Sequence, residues 1–211
     1  MSINRKILRL YAVTDRSHLG GRTLGEDVER ALKGGVTLLQ LREKNMPFEE
    51  LVQSAREIKE ICRKYNVPLI INDNVRAAVA VGADGVHLGQ GDMPADEARA
   101  LLGNDKIIGV TAKTVLQARK AEADGADYIG SGAVFGTATK SDAKKMDIAT
   151  LKSITAAVGI PVAAIGGITA ENVGALSGTG IAGAAVVSGI FAQSDIEKAA
   201  RKLYRKIGEI I

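Results

Sequence analysis

The chain has 211 residues, a length at which α/β barrels often form one domain, and we predict a single domain over residues 1–211. Its aromatic content of 3% and its lack of tryptophan argue against nucleic-acid binding through base stacking, and its net charge of +4 fits a mixed, solvated surface. No apolar run approaches the ~18 residues that a membrane span needs, the N-terminus lacks the apolar stretch of a signal peptide, and the single Cys62 cannot form an internal disulfide, so we expect a cytoplasmic protein.

Short apolar runs rich in β-branched residues alternate along the chain with segments of helical spacing. Eight such runs occur, at residues 10–14, 37–41, 69–71, 85–88, 107–110, 128–131, 162–165 and 184–187. Between them, apolar residues recur at intervals of three and four, as at Leu51, Ala55, Ile58 and Cys62. Runs that are this continuously apolar, each followed by a helix, indicate parallel strands buried on both faces.

One helix-to-strand junction recurs along the chain. Residues 81–89 resemble residues 124–132, with a weaker echo at 180–189, and each combines a helix end, a glycine, a strand and a glycine-rich exit. This repetition favours an α/β fold with a single (β/α)8 TIM barrel. An open, doubly wound sheet is the alternative, but the G-x-G-x-x-G signature of that fold does not follow the first strand.

Barrel enzymes carry their active sites at the carboxyl ends of the strands, and candidate functional residues occur there. Asp73 and Asp92 follow strands three and four, and the sequence GTATK at residues 136–140 follows strand six. Small and hydroxylated residues ending in a lysine suit a phosphate group. Since Mg²⁺ is usually held by one or two carboxylates plus substrate phosphates, these residues predict Mg²⁺ carrying a diphosphate. A helix N-cap is the alternative role for Asp92, because Pro94 suits a helix start.

The stretch QLREK at residues 40–44 has the alternation of a strand. That alternation places Gln40, Arg42 and Lys44 on one face and Leu41 on the other. Two cations that point into a barrel mouth are costly unless an anion lies between them. The alternative is a cluster of salt bridges with Glu43 at the rim.

Glycine-rich turns after strands seven and eight predict a second anion site. Gly166 and Gly167 precede one predicted helix, and Ser188 begins the turn before another. Backbone N–H groups in these two loops bind phosphate in many barrels. Together with the residues after strands two to six, they predict two phosphorylated substrates in one barrel mouth. No zinc-ligand cluster or G-x-S-x-G motif is present, and His87 is predicted to be a satisfied core residue.

Nearly end to end, these motifs resemble the thiamine-phosphate synthase (thiamine-phosphate pyrophosphorylase) family. The resemblance rests on QLREK at 40–44, IND at 71–73, VHLGQGD at 86–92, TATK at 137–140, IGGI at 165–168 and VS at 187–188. It implies a TIM barrel that joins 4-amino-2-methyl-5-pyrimidinylmethyl diphosphate to 4-methyl-5-(2-hydroxyethyl)thiazole phosphate. The products would be thiamine phosphate and diphosphate, formed by a Mg²⁺-assisted dissociative substitution without a protein nucleophile.

The resemblance also implies roles for individual residues. Asp73 and Asp92 would ligate Mg²⁺, and the leaving diphosphate would be stabilised by the cations Arg42, Lys44 and Lys140. The pyrimidine diphosphate would be held by Gln40, Arg42, Lys44, Asn72, Thr111 and Lys140, and the thiazole phosphate by Thr137, Thr139, Gly167, Val187 and Ser188. Thr111 is a departure, because family members commonly have serine there, and its extra methyl group could slow the reaction.

Two other functions stay open. A thiazole tautomerase-like isomerase of the same family would need no metal-held diphosphate, so the paired aspartates weigh against it. A non-catalytic sensor of phosphorylated ligands would keep the pocket without turnover. The sequence leaves open the oligomeric state, lid motion of residues 142–145, substrate tolerance and the choice between Mg²⁺ and Mn²⁺.

Overall fold

Eight parallel strands form a closed barrel in a computed structural model that describes residues 3–136 and 145–211. The strands are β1 Leu10–Val13, β2 Leu38–Leu41, β3 Leu69–Asn72, β4 Gly85–Leu88, β5 Ile107–Thr111, β6 Tyr128–Gly132, β7 Val162–Ile165 and β8 Gly183–Val186. Each strand pairs with its neighbours in the chain, and β1 closes the ring on β8. The predicted TIM barrel is confirmed, whereas a single domain over residues 1–211 stays a prediction.

Helices pack around the barrel between the strands. They are α1 Leu24–Lys33, α2 Phe48–Lys64, α3 Val75–Val81, α4 Ala95–Leu102, α5 Val115–Ala123, α6 Ile148–Ala157, α7 Ser188–Phe191 and α8 Ile196–Gly208. Within the described residues, short 3-10 helices occur at Arg5–Leu8, Arg16–His18 and Val173–Leu176. None of the helices in the described ranges is long and apolar enough to cross a bilayer.

The predicted helix after strand seven is wrong in type. The chain forms only the 3-10 helix Val173–Leu176 between β7 and β8. The reason is local, because Gly166, Gly167, Gly178 and Gly180 all have positive φ angles in this connection. Glycine is about 1 kcal/mol less favourable than alanine in a helix interior, so a connection this rich in glycine forms turns instead of an α-helix.

The alternation along the strands separates two apolar layers. Inward-facing residues such as Leu38, Ile70 and Ala185 form one buried cluster inside the barrel. Outward-facing residues such as Leu39 and Leu41 belong to a second cluster, which the helices cover. Leu41 therefore packs on the face predicted for it, opposite the inward-facing side chains of β2.

Cys62 lies on the buried face of α2, where its exposed fraction is 1%. Burial raises the pKa of its thiol to about 12. The position of Cys62 in the apolar pattern of this helix is confirmed, and a thiol buried in this way stays protonated and unreactive at neutral pH.

Candidate active site

A cavity opens at the carboxyl ends of the strands, where the barrel fold was expected to place the site. It encloses about 1060 Å³ including its open mouth. The predicted site residues that line it are Gln40, Arg42, Lys44, Asn72, Asp73, Thr111, Gly167, Val187 and Ser188. These residues come from distant parts of the chain, so the barrel itself gathers them at one end. Asn72 and Thr111 are the last residues of strands β3 and β5.

Lys44 and Asp73 form an ion pair at the cavity wall. Lys44 Nζ lies 2.9 Å from Asp73 Oδ2. Asp73 has a φ of 61°, a left-handed conformation that Asp tolerates better than most residues, and its N–H donates to the His87 carbonyl at 2.8 Å. Burial acts to raise the pKa of Asp73, but hydrogen bonds from Lys44 and Asp92 outweigh it and hold that pKa below its usual value.

Asp92 lies beside Asp73, and the two carboxyl groups interact directly. Burial raises the pKa of Asp92, and the neighbouring Asp73 carboxyl raises it further. Asp92 also accepts a hydrogen bond from the Gly89 N–H at 2.6 Å, which closes the turn after β4. The alternative role of helix N-cap is wrong, because Pro94 occupies that position at the start of α4.

Two adjacent carboxylates next to a lysine suit a divalent cation. Their mutual repulsion favours sharing a proton when no cation is present, and a cation would replace that proton. Within residues 3–136 and 145–211, no group of three or more His, Cys, Asp or Glu side chains could hold a metal alone. The donor set therefore fits Mg²⁺ that takes its remaining oxygen ligands from water and a substrate diphosphate.

Glu43 points away from the cavity and pairs with Arg16. The distance from Arg16 Nε to Glu43 Oε1 is 2.7 Å, and Arg16 also donates to Ser54 Oγ at 3.1 Å. Arg42 and Lys44, on either side of Glu43, line the cavity instead. The predicted common face of these two cations is observed, and the alternative of a rim cluster centred on Glu43 is wrong because Arg16 takes its carboxylate.

The loops after β7 and β8 form the opposite wall of the cavity. Asn172 Nδ2 donates to the Gly167 carbonyl at 2.8 Å and holds the first loop in place. A Cβ atom on Gly167 would lie 2.0 Å from the Gly136 carbonyl oxygen, so this loop can approach the β6 exit only with glycine. Val187 and Ser188 start the short helix α7. The two loops predicted to bind a phosphate thus face the same cavity as Asp73, whereas Asp92 lines a neighbouring pocket that shares Gly89 with it.

Among the cavity-lining residues with polar side chains, sequence reasoning missed three: Tyr11, His87 and Lys113. His87 is buried and hydrogen-bonded, as predicted for a core residue, but it also borders the cavity. The alternation of inward and outward side chains along the strands could have identified it, because His87 pairs in register with the predicted site residue Asn72. Lys113 lies in the loop after β5, and its only available signal was its position two residues beyond Thr111.

Thr137, Thr139 and Lys140 lie outside the described residues, as do residues 142–144 of the segment considered for lid motion. Gly136, the last residue described before them, follows β6 at the cavity end of the barrel. Their roles stay predictions.

Comparisons with known proteins agree on one family. The family profile of thiamine monophosphate synthase matches residues 10–190. Thiamine-phosphate synthase from Ruminiclostridium cellulolyticum is 55% identical over 194 residues, covering 92% of each chain. The corresponding protein from Clostridium novyi is 50% identical over 204 residues, covering 96% of this chain and 98% of its own.

A solved structure gives the same result at the level of the fold. Thiamine phosphate pyrophosphorylase from Pyrococcus furiosus superimposes with a TM-score of 0.90 at 38% identity, covering 98% of both chains. Since the family profile and the relatives cover nearly the whole barrel, the chain belongs to the thiamine monophosphate synthase family.

Proposed function

We propose that this protein is a transferase that makes thiamine phosphate. It condenses 4-amino-2-methyl-5-pyrimidinylmethyl diphosphate with 4-methyl-5-(2-hydroxyethyl)thiazole phosphate and releases diphosphate. Membership of the family supports this reaction, and one observation in the cavity carries it. Lys44 pairs with Asp73, Asp73 interacts with Asp92, and Arg42 lines the same cavity as Lys44 and Asp73, a charge arrangement that suits a metal-bound diphosphate.

We propose Mg²⁺ as the cofactor, with Asp73 and Asp92 as its protein ligands. When bound, Mg²⁺ would neutralise part of the negative charge on the diphosphate. Lys44 pairs with Asp73 and, against the effect of burial, helps to hold the pKa of that carboxyl group below its usual value. Asp73 is therefore ionised and ready to accept a cation, and a bound cation would favour the ionised form of Asp92 beside it.

The residues of the chain then act by positioning and electrostatics. Arg42, Lys44 and Lys140 stabilise the negative charge that develops on the departing diphosphate oxygen as the C–O bond breaks. Gln40, Asn72 and Thr111 hold the pyrimidine diphosphate in place. The thiazole nitrogen then donates its electron pair to the pyrimidinylmethyl carbon, and no protein nucleophile takes part. Bringing two bound substrates together in this way supplies much of the rate enhancement.

Lys113 adds to the positive charge at the cavity wall. It is exposed, lies two residues beyond Thr111 and forms no salt bridge with any residue in the described ranges. We therefore assign it to the electrostatic attraction of the doubly charged end of the diphosphate substrate.

The thiazole phosphate binds across the cavity, at the loops after β7 and β8. Gly167 and the start of α7 at Ser188 present backbone N–H groups there, and Thr137 and Thr139 would add hydroxyl groups. The substrates are small molecules, and we propose a cytoplasmic location and no nucleic-acid partner, consistent with the low aromatic content of 3%.

The experiment that tests this function uses the purified protein with each substrate alone and with both, in the presence of Mg²⁺. Diphosphate release only when both substrates are present is expected. Isomerisation of a thiazole without diphosphate release would instead assign a tautomerase, and binding without turnover would assign a sensor. Chelation of Mg²⁺ should abolish release, and added Mg²⁺ should restore it.

A further inference from the structure

A chain of hydrogen bonds between largely buried side chains runs along the inner end of the cavity, and of its members only Tyr128 does not line that cavity. Gln40 Nε2 donates to the Tyr11 hydroxyl, and the Tyr11 and Tyr128 hydroxyl oxygens are 2.8 Å apart. Tyr128 Oη lies 3.0 Å from His87 Nδ1, and His87 Nε2 lies 2.9 Å from Thr111 Oγ1. Only the two ends of the chain, Gln40 and Thr111, are residues to which the proposed function gives a substrate contact.

The strands leave space for this chain where it crosses them. A Cβ atom on Gly109 would lie 2.1 Å from Cζ of Tyr128, and one on Gly130 would lie 2.9 Å from Cε1 of His87. Gly109 pairs in register with both His87 and Tyr128. The two rings therefore occupy volume that any other residue at these glycines would fill, so their relative position is held by the barrel.

The number of hydrogen atoms available shows which partner donates in each of these hydrogen bonds. Each phenol has one hydrogen, and burial raises the pKa values of both Tyr11 and Tyr128 far above neutrality, so both hydrogens are present. Each buried hydroxyl hydrogen needs an acceptor, and Gln40 presents an N–H donor to Tyr11, so Tyr11 donates to Tyr128 Oη and Tyr128 donates to His87 Nδ1. The neutral imidazole then carries its hydrogen on Nε2 and donates it to Thr111 Oγ1.

This direction decides what Thr111 offers to a ligand. Its oxygen accepts from His87, so its own hydrogen points elsewhere, and Thr111 lies half-buried on the cavity wall. With the chain reversed, Thr111 would donate to His87 and offer the cavity only lone pairs, which repel an anionic oxygen. The direction of the hydrogen bonds inside the barrel therefore decides whether Thr111 can donate a hydrogen bond to an anion in the cavity.

We propose that Tyr128 is a positioning residue that, with Tyr11, fixes the Nε2–H tautomer of His87 and thereby turns the Thr111 hydroxyl into a hydrogen-bond donor for the diphosphate substrate. Tyr128 touches no substrate. It acts through His87 and Thr111, and its role rests on the proposed function only in the identity of the anion.

The tautomer is measured directly by ¹⁵N NMR of the wild-type protein labelled on histidine. The chain has two histidines, so a His18→Asn variant assigns the His87 signals. We expect a pyridine-like Nδ1 and a pyrrole-like Nε2 at neutral pH. An Nδ1–H tautomer or an imidazolium would overturn the proposal, whatever reaction the protein catalyses. In Tyr128→Phe, loss of the donor to Nδ1 should give a mixture of tautomers.

Kinetics test the link to Thr111. Because a hydrogen bond to a charged group is involved, Tyr128→Phe should lower kcat/KM for the pyrimidine diphosphate about tenfold. In a Thr111→Val background the same change should cost less than about twofold, and in a Thr111→Ser background the tenfold loss should return. Equal losses in all three backgrounds would show a merely structural role and would refute the link.

Tyr65→Phe is the matched control. It also removes a phenol hydroxyl, which donates to Glu29 Oε1 at 2.9 Å, but Tyr65 lies at the C-terminal end of α2 and does not line the cavity. It should leave both kcat/KM and the His87 signals unchanged. If wild-type protein shows the expected tautomer yet releases no diphosphate, the proposed reaction fails while the tautomer assignment stands, and binding of inorganic diphosphate then reports the Thr111 donor.

Discussion

At the scale of single residues, the aspartate pair of the site lowers the stability of the fold, and the proposed function depends on that same pair. Asp73 and Asp92 are side by side, and the raised pKa of Asp92 records the cost of ionising a partly buried carboxyl next to another. Structures usually avoid such pairs, and perturbed carboxyl groups are enriched at functional sites. Replacing one member should therefore stabilise the fold and remove the function.

For Asp92→Asn we expect a higher melting temperature in metal-free buffer at pH 7, by roughly 2 °C. The reason is the sign of the shift. A carboxyl whose folded pKa is raised favours folding when protonated and loses that contribution as the pH rises through the folded pKa. An asparagine does not ionise, so the advantage of the variant should shrink as the pH is lowered toward the pKa of Asp92.

Differential scanning fluorimetry across pH measures this effect, with Asp105→Asn as the control because Asp105 is exposed in the loop before β5. The control should show no such pH-dependent gain. A variant at Asp92 that melts below the parent at neutral pH would contradict the account of the carboxyl pair.

Lys113→Gln tests the third cation at the cavity wall. We expect KM for the pyrimidine diphosphate to rise severalfold with little change in kcat, because Lys113 lies at the exposed rim and attracts the substrate. The rise should diminish in high salt, where exposed charges are screened.

Lys64→Gln removes the same charge from the C-terminal end of α2, where Lys64 is exposed and lies away from the cavity. Steady-state kinetics of the two variants at two ionic strengths separate a local effect from one of net charge. An equal rise in KM for both would remove Lys113 from the site.

At the scale of the elements, glycines on β5 and β6 leave the space inside the barrel that large side chains of β4 and β6 fill. Gly109→Ala would put a methyl group into the Tyr128 ring, with distances of 2.1 Å to Cζ and 2.4 Å to the hydroxyl oxygen. We expect a loss of about 1–3 kcal/mol in the free energy of unfolding, typical of overpacking. Chemical denaturation measures it.

Gly174→Ala is the matched control for that experiment. No atom lies within 4 Å of its added Cβ, and its φ is not positive. Its free energy of unfolding should change by less than about 0.5 kcal/mol. If Gly109→Ala also left the free energy of unfolding unchanged, the close packing of Tyr128 against β5 would be in error.

At the scale of the whole molecule, the site is assembled from the entire ring of strands. Gln40 belongs to β2, Asn72 to β3 and Thr111 to β5, while Ser188 follows β8. A ligand that contacts several of these at once binds only the closed barrel, so binding stabilises the whole fold.

Mg²⁺ and inorganic diphosphate together should therefore raise the melting temperature by more than the sum of their separate effects. At 100 times the dissociation constant the gain is about 2.7 kcal/mol, which corresponds to roughly 5–10 °C for a chain of this size. Thermal melts with each ligand alone, both together, and sulfate at matched ionic strength measure it. Shifts that merely add would contradict a shared site.

The sequence determined the fold and much of the site because both depend on short-range patterns. The period of two along β2 determined that Gln40 faces inward and Leu41 outward, and all eight strands were found within about one residue of their observed ends. The junction repeats and the buried parallel strands were sufficient to predict a barrel, and the barrel in turn assigns the active site to one end.

Only the tertiary structure decided the partners. In the folded barrel, Glu43 forms a salt bridge with Arg16, the Asp92 carboxyl interacts with that of Asp73, and His87 hydrogen-bonds to Tyr128. A local pattern encodes which face a side chain takes, but not which distant side chain meets it there. That choice depends on strand register and on the space left by residues such as Gly109, both of which exist only once the ring of strands has closed.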